Sequence, residues 1–123
     1  MIGDYLRMAA AQLRRAAVAR KDETANLRRE MSQREQDVHR MIDDLKRVID
    51  SRQRQIGAID NAAIKAERAA EITKLNNEIK VLQSDFDREK QRINQELQWK
   101  EGQVDDLNSQ AVNFERQAST MGQ

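Results

Sequence analysis

The sequence contains one histidine, and its neighbours are the first place to look for chemistry. Glu35 and Asp43 lie one helical turn to either side of His39, so in a helix the three share a face. Copies of that face from neighbouring chains would gather imidazole and carboxylates suited to a metal ion. The spacing is not the Glu-x-x-His of di-iron bundles, and an exposed histidine on a charged helix is the favoured reading. Asp43-Asp44 and Asp105-Asp106 are adjacent pairs, which point in different directions on a helix and read as solvated surface. The glycines are scattered and form no phosphate loop. With no cysteine there is neither a disulfide framework nor thiol chemistry. We therefore expect no catalytic residue, no cofactor and no metal, hence a protein that is not an enzyme.

The segment from Met1 to Lys21 is the most distinctive. It sets Arg7, Arg14, Arg15, Arg20 and Lys21 against the single Asp4, with Ile2, Leu6, Met8, Leu13, Ala17 and Val18 as its apolar side. A basic amphipathic helix of this kind can lie in a membrane interface. The alternative is a helix whose arginines meet the acidic Asp105, Asp106 and Glu115. Much of the apolar side is Ala, a poor membrane anchor, which favours the second reading. Nucleic-acid binding is not expected, because carboxylates are interleaved through the rest of the chain and the net charge is only +1. Trp99 is either an interface anchor or a ring resting against neighbouring Lys and Arg stems.

These residues need long helices to position them. The chain has 123 residues with 35% charged, 3% aromatic and no Pro, so one elongated domain is expected. Ala, Arg, Glu, Gln and Leu fill most positions, all good helix formers. No apolar run approaches the ~20 residues of a membrane span, and no signal-peptide core is present, so a cytoplasmic protein is expected, with peripheral membrane association as the variant. Residues 1–60 hold 13 basic and 10 acidic side chains, and residues 61–123 hold 9 and 11. Oppositely biased halves suit a chain that folds back or stacks head to tail.

Apolar residues recur at alternating steps of three and four, the mark of a coiled-coil seam. In the second half they are Ile72, Leu75, Ile79, Leu82, Phe86, Ile93, Leu97, Val104 and Leu107, continuing to Ala111, Phe114, Ala118 and Met121, with Lys90 and Lys100 in the same stripe. In the first half they include Leu6, Ala10, Leu13, Ala17, Thr24, Leu27, Met31, Val38, Ile42, Leu45, Ile49 and Ile56. Each stripe has one place where two steps of four follow each other, at Leu27–Met31–Glu35 and at Leu82–Phe86–Lys90. Such stutters locally relax a supercoil.

Between the stripes, Gly57 is placed to end a helix in the left-handed conformation, and Asp60 or Asn61 to cap the next. The expected architecture is all-α: an antiparallel coiled-coil hairpin with helix 1 over about 4–56, a turn at about 57–60 and helix 2 over about 61–121. Each arm would measure roughly 80 Å. Folding about residue 58 or 59 would set Leu45 opposite Ile72, Ile42 opposite Leu75, Val38 opposite Ile79, Met31 opposite Phe86, Leu13 opposite Val104 and Leu6 opposite Ala111. The two stutters then face each other.

A lone hairpin covers each helix on one side only. Tyr5, Met8, Val18, Ile64, Val81, Trp99 and Val112 would remain outside the seam, which suggests contact between molecules in a bundle, ring or filament. The expected function is accordingly a structural, self-associating scaffold, spacer or filament subunit. Its partner is another copy or another helical protein, with no small-molecule substrate. A long hairpin with a basic end resembles, in architecture, the core of membrane-remodelling filament proteins of the ESCRT-III and phage-shock type. That resemblance implies the alternative of a membrane-surface assembly protein. A coiled-coil adaptor for a different protein is the remaining alternative.

Overall fold

Absence of proline and an abundance of strong helix formers let hydrogen bonding propagate without interruption over very long stretches. A computed structural model describes residues 1–121 and shows two helices, α1 (Ile2–Ile56, 55 residues) and α2 (Ala62–Met121, 60 residues). No strand occurs among the described residues. The α1 helix begins slightly earlier than the sequence suggests, with the Tyr5 amide donating to the Met1 carbonyl at 3.2 Å. Asp4 in its first turn and Arg54 in its last complement the helix dipole.

The connection differs from expectation at Gly57, while the cap of α2 is one of the two residues expected. Gly57 does not adopt the left-handed conformation; no glycine among those described has positive φ. The end of α1 tightens instead, with the Ala58 amide donating to Gln55 and the Ile59 amide to Ile56, both at 3.1 Å. These short-range bonds satisfy orphan carbonyls without a left-handed residue. The cap of α2 is Asn61 rather than Asp60. Its Oδ1 accepts from the amides of Ala63 (2.9 Å) and Ile64 (3.2 Å), the geometry of an N-cap, while Asp60 stays exposed.

The chain divides into two compact units: Met1–Glu30 with the chain from Arg92 onward, and Met31–Gln91. The division falls beside the two stutters in apolar spacing. In the second unit, which is continuous in sequence, helix packs on helix. Val38, Ile42, Ile49, Ile72 and Ile79 form a buried cluster, with Leu45, Ile56, Leu75, Leu82 and Phe86 half-buried against it. Partners pair in opposite order along the two helices: Arg52 reaches Glu71 and Arg34 reaches Glu89.

The first unit packs by a different means. Ala10, Ala17, Ala111 and Ala118 are the buried residues, together with Thr24, whereas Leu6, Leu13, Leu27, Leu107 and Phe114 are only half-buried. Small residues recurring every seventh position allow two helix backbones to approach closely. A Cβ added at Gly3 would lie 3.8 Å from the Ala118 carbonyl oxygen. Folding about residue 58 or 59 would put Phe114 there, so this unit pairs further along α2 than that rule gives. Thr24 is satisfied locally, its hydroxyl donating to the Lys21 carbonyl at 2.7 Å.

Candidate association surfaces

The seam has two sides that matter chemically: the apolar residues it covers and the charges along its margins. Apart from Met121, the large apolar residues singled out for the seam are buried or half-buried. Val38, Ile42, Ile72 and Ile79 are buried; Met31, Leu45, Leu75, Leu82 and Phe86 of the second unit are half-buried. So are Leu6, Leu13, Leu27, Ile93, Leu97, Val104 and Leu107 of the first. Lys90 and Met121, on the same stripe by spacing, are exposed. After the stutter the stripe passes through Glu89, half-buried against Arg34, because two consecutive steps of four rotate Lys90 off the contact line.

Ion pairs line the margins. Arg14 grips Glu115 with two bonds, Nε to Oε1 at 2.6 Å and Nη2 to Oε2 at 3.1 Å. Arg28 pairs with Glu101, and Lys100 reaches Glu23 at 3.2 Å. In the second unit Arg34 meets Glu89 at 3.3 Å, and Arg52 meets Glu71, which also accepts from Arg68. Each carboxylate on α2 lies further toward the helix C-terminus than facing residues would. Side chains lean toward the N-terminus of their own helix, so in an antiparallel pair their tips meet past the level of their Cα atoms. Of Asp105, Asp106 and Glu115, the acceptors expected for the N-terminal arginines, Glu115 takes Arg14, while Asp105 and Asp106 are exposed and join no ion pair among the described residues. Sequence reasoning missed the other four pairs, because a charge beside an apolar stripe does not reveal its partner until the register is known.

These contacts hold carboxylates ionised. The hydrogen bond from Arg14 lowers the Glu115 pKa below its usual value and raises that of Arg14. Glu23 is lowered first by the bond from Arg20, then by that from Lys100. His39 is well exposed, with Nε2 3.8 Å from Glu35 Oε1, a charged pair only when the imidazole is protonated. Among the described residues no three metal-ligating side chains come together.

Outside the seam, Tyr5, Met8, Val18, Ile64, Val81 and Trp99 are exposed, Tyr5 by 76% and Trp99 by 62%. Met41 and Val48 are exposed as well. Val112 departs from expectation: it is half-buried. Of the N-terminal cations, Arg14 is committed to Glu115 and the half-buried Arg20 to Glu23, leaving Arg15 and Lys21 exposed and without an ion pair among the described residues. Arg7 bonds Asp4 at 3.2 Å.

Grooves run beside the seam of the second unit. One, predominantly apolar, is lined by Leu45, Lys74, Asn77, Glu78, Val81 and Leu82. Another is mixed, setting His39, Glu35, Asp43 and Lys46 beside Val38, Ile42 and Phe86. No family model, curated protein or solved structure matches this chain. No helix among the described residues is long and apolar enough to cross a membrane.

Proposed function

We propose that this chain is a non-enzymatic structural protein: an antiparallel coiled-coil hairpin that self-associates and serves as a scaffold, spacer or filament subunit. The observation that carries this reading is the split between two classes of apolar residue. One class is covered by the other helix of the same chain. The second, including Val18, Val81 and Trp99, stands 57–62% exposed on helix faces where a partner helix would fit. Burying such side chains against another helix gains roughly 1.5–3 kcal/mol each when complete, a strong bias toward association. Light scattering on the purified chain tests it. A mass that is a multiple of 14.3 kDa supports self-association. A mass that stays at the monomer value supports the adaptor, which would need a different protein to cover the same faces.

A membrane-surface role draws on a separate observation. Ile2, Tyr5 and Met8 are exposed by 64–76% beside Arg7 and Arg15 near the start of α1. An amphipathic face of that kind binds anionic bilayers by apolar insertion and charge together. Three of the five cations are already paired, Arg14 with Glu115, Arg20 with Glu23 and Arg7 with Asp4, which weakens the attraction. Co-sedimentation with anionic vesicles that is lost when Ile2, Tyr5 and Met8 become Ser would favour this reading. Equal pelleting of the variant, or none by either protein, would remove it.

A further inference from the structure

Resting on the self-association reading, we propose that the second unit docks on a second copy of itself, antiparallel, through the groove of Leu45, Val81 and Leu82. Apolar surface and charge arrangement point to the same two-fold axis.

The groove is predominantly apolar, and it sits midway along the unit Met31–Gln91. Leu45 and Leu82 form its floor, being half-buried against the core. Val81 stands on its wall, exposed by 57%, while Met41 and Val48 are exposed on α1 by 43% and 40%. A helix laid along this face would bury them.

Charge identifies the occupant. In the half of the unit next to the connection, residues 46–75, seven basic side chains face four acidic ones. In the other half, residues 31–45 and 76–91, five basic side chains face eight acidic ones. The unit is therefore neutral overall but polar end to end, by three charges of each sign. A parallel copy would set like charges against like. An antiparallel copy, with its axis through the central groove, sets the basic half of each molecule on the acidic half of the other. Such complementarity fixes orientation and is weakened by salt. Among the described residues no ion pair engages Lys74 or Glu78, which line the groove itself, nor Arg54 and Lys65 in the basic half or Asp85 in the acidic half. Isologous contact of this kind closes on itself as a dimer.

The chain has no cysteine, so single-cysteine variants report geometry cleanly. In sedimentation equilibrium, Val81→Arg should raise the dissociation constant about tenfold or more, as loss of a central apolar contact does. Its circular dichroism should match the unchanged chain; Val81→Ser gives the same reading should the arginine disturb the helix. Asn77→Cys, at the groove, should form a disulfide-linked dimer readily on oxidation, and Ser51→Cys, away from the axis, should not. Efficient crosslinking of both would overturn the antiparallel arrangement. Association unaffected by either Val81 change, but lost in Val18→Asp or Trp99→Ser, would overturn the groove while leaving self-association standing. A monomeric parent chain at every concentration would dispose of both.

Discussion

Asn61, Gly57 and Gly102 show how far single residues decide this structure. An amide oxygen at Asn61 takes two orphan N–H groups of α2, so Asn61→Ala should cost about 1 kcal/mol of stability in urea unfolding. Gly102 lies inside α2, and an added Cβ there would meet nothing within 4 Å. Gly102→Ala should therefore stabilise by roughly 1 kcal/mol in the same assay, the helix propensity difference alone. Gly57 was legible as the point where α1 stops, but not in its conformation. Glycine permits a left-handed cap without requiring one, and short-range carbonyl bonds serve the same end here. Glu115 and Glu23 bring a pH dependence. Both have lowered pKa values in the fold, so their contribution is full above the unfolded value near 4.5 and is lost as pH falls through the folded ones. Thermal midpoints should drop below about pH 4.5, and the drop should be shallower in Glu115→Gln. A midpoint insensitive to acid would show the Arg14 clasp to be energetically idle.

At the level of elements, apolar spacing says most about α1 and α2 because period and burial share one cause: a helix packed on one side wets the rest. That is why residues spaced by three and four, from Val38 through Ile49 and from Ile72 through Phe86, are the ones covered. Charge pairs were less legible, since the partner of Arg34 or Arg52 depends on register and on the lean of long side chains. The first unit buries Ala10, Ala17, Ala111 and Ala118 where the second buries Val and Ile, so it is the more closely approached seam. Opposite substitutions follow. In the second unit Ile42→Ala should cost about 2–3 kcal/mol, the low end for a buried isoleucine because it keeps slight exposure. In the first, Ala111→Leu should cost about 1–3 kcal/mol by overpacking a fully covered site. Both are read by urea unfolding, and an Ala111→Leu variant as stable as the parent would contradict close packing there.

For the molecule as a whole, net charge of +1 gives little global pull toward polyanions. What remains is a chain whose helices cover one face each and leave Val81, Val18 and Trp99 to water. Composition made the absence of a large globular core legible from the start. It could not say which leftover apolar residues share a groove, because that depends on how α1 and α2 sit beside each other. The most direct test of the account follows mass and helicity together on dilution, by sedimentation equilibrium and far-ultraviolet circular dichroism. We expect mass to fall to 14.3 kDa while the helical signal persists, since the seam lies within one chain. Helicity that disappears in step with mass would contradict it, for the helices would then exist only by packing against other molecules.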